Sequence, residues 1–451
     1  MSEIARPAIS EEARAGVKAR RYAAYVFWVM FLINLFNYLD RYVLPAVLSN
    51  VQAEFKLTDA QGGALGTAFL LVYALAALPL SVWADRGVRK NVIGLCVGIW
   101  SLATFLSGLA TGFWTLFVAR ALVGIGEAGY YPAGTSLLSD YFSRERRAQI
   151  MSRWGAGALV GLAIGFSLGG IVAGALNWRA AFFLTAVPGL LFAFLAFRLR
   201  EPTRGIADGW QARVEATSGA GGRPLATSLP FVRQLGMLLG TPTIMITILV
   251  QIFGFWVLGA AAYWLPIYLQ RAYALTEGEA GIVSGIVLVL AGVAGILLGG
   301  LLADILTRRV VGGRVLASGI GFLLSSPCFA LAVTSSSFVS FLPFFVLSGL
   351  LLNVYSGPIT AVAQDVVVPE LRALVVSVSL LIAHLLGDVT SPLIVGAISD
   401  ALGGHAAGLR GALLATCPAM LLIAGVIGIV GTRFVYRDLM RVEERRLARV
   451  L

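Results

Sequence analysis

Long apolar runs separated by short polar stretches set the pattern of this chain. Read as membrane-crossing helices of about 20 residues each, they predict twelve spans. The first six lie near 22–48, 61–83, 91–111, 113–138, 148–175 and 180–198, the second six near 243–269, 279–306, 315–333, 338–363, 373–398 and 412–434. Between the sets lies a polar linker, 199–242, with Pro202, Arg204, Asp208, Arg213, Glu215 and a Gly-rich stretch at 218–223. Its later part, 225–239, mixes Leu229, Phe231, Val232 and Leu235 with Arg233 and Gln234, a pattern suited to a short helix on the membrane surface. The expected architecture is an all-α membrane protein of two six-helix bundles, 22–198 and 243–434, flanked by tails 1–21 and 435–451.

The two sets repeat one another. Ala84-Asp85-Arg86 with Arg89-Lys90 after the second span aligns with Ala303-Asp304 and Arg308-Arg309 after the eighth. Leu57-Thr58-Asp59 entering the second span aligns with Leu275-Thr276-Glu277 entering the eighth, and Arg147-Ala148 with Arg372-Ala373 at the fifth and eleventh. Similar offsets at three landmarks indicate duplication, the common plan of secondary transporters.

Composition agrees: 58% of residues are hydrophobic and 13% charged, against roughly 45–50% and 25% in soluble chains. The net charge of +11 would fit nucleic acid if it formed one basic face. It is spread instead over alternate loops, with Arg20, Arg21, Arg86, Arg89, Lys90, Arg144, Arg146, Arg147, Arg308, Arg309 and Arg314 on one side and only Lys56, Arg179, Arg271 and Arg410 on the other. Cationic loops stay on the cytoplasmic side, so both termini are expected there and no nucleic-acid partner is expected. Two histidines, three scattered cysteines (Cys96, Cys328, Cys417) and no phosphate-binding glycine loop argue against an enzyme, a metal site, a cofactor or an ATP-driven pump.

Few ionisable groups fall inside the spans: Asp40, Arg41, Arg120, Glu127, His384 and Asp388. Each costs roughly 2.5–3.5 kcal/mol at a helix centre and so needs a reason to be there. Asp40, Arg41 and Arg120 fall at one depth, and Glu127 lies about 10 Å deeper on the face of Arg120. A static pair, Asp40 with Arg120 or Arg41 with Glu127, would merely pack two helices. The functional alternative makes Asp40 and Glu127 proton-coupling sites and Arg41 and Arg120 their exchange partners and binders of an anionic head group. Asn37 and Tyr38 are further cavity candidates. His384 and Asp388, four apart on one face, either line the cavity or hold a break before Pro392. Aromatic residues of the seventh span, Tyr263 and Trp264 among them, are expected at the membrane interface. Gly161, Gly165 and Gly169 are expected to let another helix approach closely. Charge in the first half and apolar surface in the second would suit a molecule with a polar head and a long chain.

The Asp85, Arg89, Lys90 and Asp304, Arg308 loops resemble the signature between the second and third spans of the major facilitator superfamily. Asn37-Tyr38-Leu39-Asp40-Arg41, Gly126-Glu127-Ala128-Gly129-Tyr130 and His384-Leu-Leu-Gly387-Asp388 with Ser391-Pro392 are similar to the Spinster-type transporters within it, which are associated with lysophospholipids and sphingoid lipids. The first two motifs are also similar to those of proton symporters of organic anions and sugar acids. The resemblance implies the superfamily fold, a monomeric, proton-coupled carrier of the bacterial inner (plasma) membrane working by alternating access, and an amphipathic lipid or small organic anion as substrate. Asp85, Arg89, Lys90, Asp304 and Arg308 then either anchor the cytoplasmic face or latch its gate.

Overall fold

In the bilayer core no water is present to satisfy peptide groups, so each crossing segment must satisfy its own. The computed structural model describes residues 11–204, 231–368 and 371–447, and these residues are helical throughout apart from short turns. The first half holds α1 (Glu11–Phe55), α2 (Asp59–Arg86), α3 (Arg89–Gly108), α4 (Phe113–Tyr141), α5 (Arg144–Ala175) and α6 (Trp178–Arg198). A short helix α7 (Phe231–Leu239) precedes the second half; residues 205–230 of the linker, including 225–230, lie outside the described residues. The second half holds α8 (Pro242–Tyr273), α9 (Glu277–Thr307), α10 (Gly313–Thr334), α11 (Phe338–Asn353), α12 (Ser356–Asp365), α13 (Arg372–Ala383), α14 (Ser391–Ala401) and α15 (His405–Leu447).

Among the described residues eleven helical segments are long and apolar enough to cross a membrane. The remaining crossing is α4, whose 29 residues are made less apolar by Arg120 and Glu127. Two crossings read as single runs are broken. The tenth is split into α11 and α12 at Val354 and Tyr355, and the eleventh carries a π-helical turn, His384–Asp388, between α13 and α14. Pro392 follows that turn in the first turn of α14, where its missing N–H removes no helix bond. The first and last crossings run well past the apolar stretches in sequence: α1 has 45 residues, or about 67 Å of helix.

The duplication is visible in local chemistry. Both α2 and α9 open with the same reciprocal cap, Thr58 with Gln61 and Thr276 with Glu279, which satisfies first-turn N–H groups that a helix leaves unpaired. In the first half α5 packs on α1, and α4 lies against α2 and α3; in the second, α15 packs on α10 and α8. Gly161 makes the α1–α5 contact a backbone contact, since a Cβ there would lie 2.2 Å from the Leu35 carbonyl oxygen.

Between the halves α5 meets α9 and α2 meets α14. The cross-half hydrogen bonds gather at the end opposite the termini, from Ser49 to Gln270, Asn50 to Glu277 and Thr67 to the Val389 carbonyl. The halves are thus joined at one end.

Gly161→Val is expected to lower the thermal unfolding midpoint of the detergent-solubilised protein by several degrees, because overpacking a tight contact costs about 1–3 kcal/mol. Gly300→Ala, where an added Cβ meets no atom within 4 Å, is expected to leave it unchanged.

Candidate functional site

One turn of α1 presents Asn37, Tyr38, Asp40 and Arg41. Asn37 and Arg41, four apart, share a face, while Asp40 points aside. Arg41 donates from Nη2 (2.6 Å) and Nε (3.1 Å) to Glu127 Oε2 on α4. Of the two pairings open to the sequence, this is the one formed. The guanidinium also lies 5.0–5.2 Å from the ring centroids of Tyr38, Phe69 and Tyr73, which supply negative ring faces to a cation out of water. Asn37 is buried beside Glu127.

Asp40 is buried and accepts a hydrogen bond from the Thr104 hydroxyl on α3. Arg120, one helix turn pair above Glu127 on α4, is 1% exposed. Its guanidinium lies 5.4 Å from the Phe69 ring, and its Nε and Nη1 have no hydrogen-bond partner. Phe69 therefore touches both arginines. It is held there by Gly124, which lets α2 approach so closely that a Cβ would fall 2.5 Å from the Phe69 carbonyl oxygen.

Arg41 and Arg120 line a cavity between the halves, with Tyr42, Tyr263, Asp388 and Pro392 in its wall. Asp388 Oδ2 lies 2.9 Å from His384 Nδ1, and the His384 ring packs 4.5 Å from that of Phe255. The pair occupies the π-helical turn, and Asp388 lines the cavity. Asp388 Oδ1 is buried without a partner. The cavity therefore holds a buried, unpartnered guanidinium on one wall and a carboxylate on the other. Buried polar groups are ordinarily hydrogen-bonded, which sets these groups apart from the rest of the interior.

The loop residues lie apart from this cavity, at the end that carries the termini. Asp85, Asp304 and Arg308 are exposed. Arg89 is buried, with Nε donating to Glu201 Oε1 (2.7 Å) and Nη1 to Asp140, while the Lys90 N–H donates to Glu201 Oε2. It ties α3 to α4 and to the segment after α6. Its structural counterpart is Arg314, paired with Asp365, 225 positions after Arg89 and Asp140. Arg308, aligned with Arg89 in sequence, instead caps the end of α9, because the turn after α9 is longer than that after α2.

Tyr263 and Trp264 are not at a membrane interface. They are 7% and 0% exposed, and Tyr263 Oη donates to the Gly62 carbonyl (2.6 Å) and Trp264 Nε1 to the Pro392 carbonyl (3.1 Å). Pattern alone missed this because a buried aromatic donor and a belt residue look alike in sequence. It also missed Arg271, which looked like an isolated outer cation and is paired with Asp59.

A sequence model of the Major Facilitator Superfamily matches residues 30–392. The chain is 31% identical over 395 residues to Protein spinster homolog 3 of Danio rerio, covering 84% of this chain and 77% of that one. It is 28% identical over 432 residues to the sphingosine-1-phosphate transporter of the same fish, covering 90% and 83%. The crystal structure of a bacterial homolog to the human lysosomal transporter Spinster, in an inward-facing and unoccupied conformation, superposes with a TM-score of 0.82 at 27% identity, covering 92% of this chain and 98% of that one.

Arg41→Met is expected to destabilise the solubilised protein by about 3–5 kcal/mol, because it leaves Glu127 buried and unpaired. Arg41→Met with Glu127→Met is expected to recover most of that loss. Thermal unfolding of the singles and the double measures the coupling, and strictly additive losses would show that the pair is not formed.

Proposed function

The chain belongs to the major facilitator superfamily and to its Spinster branch of transporters, and on that premise we propose that it carries an amphipathic lipid with an anionic head group, driven by protons. The observation that carries the head-group part is Arg120: a permanently charged, buried guanidinium with two N–H-bearing nitrogens unpartnered beside a cavity. A phosphate or carboxylate is the group that fits a guanidinium fork. Arg41, on the same cavity, is held by Glu127 and becomes a second donor when Glu127 takes a proton.

Proton coupling then has a direct physical form. Glu127 binds either Arg41 or a proton, and Asp40 sits with Thr104 on the neighbouring helix. Charge on the carboxylates and charge on the head group compete for the same two arginines, so proton and substrate each change the other's affinity. Sphingosine-1-phosphate, the cargo in the name of one relative, combines a phosphate with an apolar chain, and the largely uncharged second half supports the same class here.

Alternating access follows from the joint between the halves. With the cationic loops and both termini in the cytoplasm, the joined end faces outward and the parted end faces the cytoplasm, the conformation of the bacterial relative. In this reading Asp85, Asp304 and Arg308, exposed at the parted end, become gate contacts when that end closes.

Two measurements test this. Purified protein is expected to bind lysophospholipids or phosphorylated sphingoid bases in preference to sugar acids, and Arg120→Ala to weaken that binding roughly tenfold or more, the scale of a lost charge-assisted bond. Binding of sugar acids alone would replace the lipid reading with that of a small organic anion symporter. In proteoliposomes, Asp40→Asn and Glu127→Gln are each expected to abolish the acceleration of transport by a pH gradient. Wild-type acceleration in both variants would remove proton coupling through these carboxylates.

A further inference from the structure

The joined end is closed by two seams of different chemistry. Along one, α5 lies against α9 through small residues: a Cβ on Gly281 would fall 2.3 Å from the Phe166 carbonyl oxygen, and one on Gly285 2.8 Å from that of Ala163. Along the other, α14 meets α2 through charge. Asp400, at the end of α14, accepts the backbone N–H groups of Asp59 (2.9 Å) and Ala60 (2.8 Å), the first two residues of α2. The Asp59 carboxylate, on a residue 4% exposed, accepts from Arg271 Nη1 (2.9 Å) and Nη2 (2.8 Å), Ser399 Oγ (2.6 Å) and Gln52 Nε2 (2.9 Å). Arg271 also donates to Gln52 Oε1.

A helix leaves its first four N–H groups without internal partners. In α2 the first half satisfies Thr58 and Gln61 through their reciprocal cap, and the second half satisfies Asp59 and Ala60 through Asp400. The carboxylate also lies at the positive end of the α2 dipole. The repeat counterpart, α9, has the same Thr276 cap. There the first half offers the amide of Asn50 to Glu277, and Gly170 and Gly174 of α5, in place of a carboxylate. The charged clasp thus exists on one seam of the duplicated architecture.

We propose that Asp400, Asp59 and Arg271 form a latch that holds the two halves together at this end, and that opening of the cavity toward this side proceeds by breaking the α2–α14 seam. Separation transfers the Asp400 carboxylate, two N–H groups of α2 and the Asp59–Arg271 pair to water, so their interaction across the seam sets the balance between the closed and open forms. The latch stands above the cavity roof. Tyr263 and Pro392 line the cavity and belong to the helices, α8 and α14, that carry Arg271 and Asp400. Tyr263 itself bonds to Gly62, three residues along α2 from Asp59.

The test is a distance measurement on the full-length protein in lipid nanodiscs. Spin labels go on Ala53→Cys and Ala407→Cys, exposed positions of α1 and α15 at this end, with Cys96, Cys328 and Cys417 replaced by alanine. Pulsed dipolar spectroscopy is expected to show a short-distance population in the parent. In Asp400→Asn, and independently in Arg271→Gln, the longer-distance population is expected to rise relative to the short one by roughly tenfold, the scale of losing charge-assisted bonds. Thr58→Ala, which removes the cap supplied to the same helix by its own half, is expected to leave the distribution as in the parent. An unchanged distribution in both latch variants overturns the proposal, and so does an equal shift in Thr58→Ala, which would trace the effect to fraying of α2.

Discussion

A charge in hydrocarbon must find a counter-charge, a ring face or a ligand, and the arrangement of this protein follows from that requirement. Arg41 shows it most fully: Glu127 supplies a bonded carboxylate, and three aromatic rings surround the guanidinium. Such a pair is a poor way to gain stability, because the desolvation of both ions offsets much of their attraction. In the proposed mechanism its value lies in being exchangeable. Arg120 stands one step away with Nε and Nη1 unbonded, and Asp40 Oδ1 and Glu127 Oε1 are unbonded too, so the cluster keeps unmet donors and acceptors side by side.

The two halves came from one pattern and have kept it where the fold needs it. Thr58 and Thr276 cap corresponding helices, and Arg89 with Asp140 recurs as Arg314 with Asp365. They differ around the central cavity. The first half contributes the two arginines and their carboxylates; the second contributes a His–Asp pair seated on a π-helical turn and an extended apolar core around Trp264, Phe322 and Phe341. A carrier for a molecule with two unlike ends is well served by two unlike walls.

Much of this was legible in sequence because a membrane restricts what a residue can mean. Twenty apolar residues in a row have one common reading, and a charge inside them is conspicuous, so the spans and the group Asp40, Arg41, Arg120 and Glu127 could be read directly. What resisted reading depends on which of several neighbours a side chain meets. The pairing of Arg41 with Glu127, which leaves Arg120 Nε and Nη1 unbonded, is a choice among near neighbours that helical spacing does not make. Tyr263 and Trp264 carry the composition of a membrane belt, yet Tyr263 bonds across the halves to Gly62 and Trp264 within the second half to Pro392. Asp59 and Arg271 are 212 positions apart, in short polar stretches that resemble any loop. The break at Val354 and Tyr355 has no proline at the break itself to mark it.

Phe69 gives one further consequence. Its ring lies against both Arg41 and Arg120, and it is carried by α2, ten residues from the end at which Asp400 caps that helix. Ten residues of helix are about 15 Å of stiff rod. If the proposed opening tilts α2 at its capped end, the ring would move with it, and the far closure would reach the two guanidinium groups through one aromatic side chain.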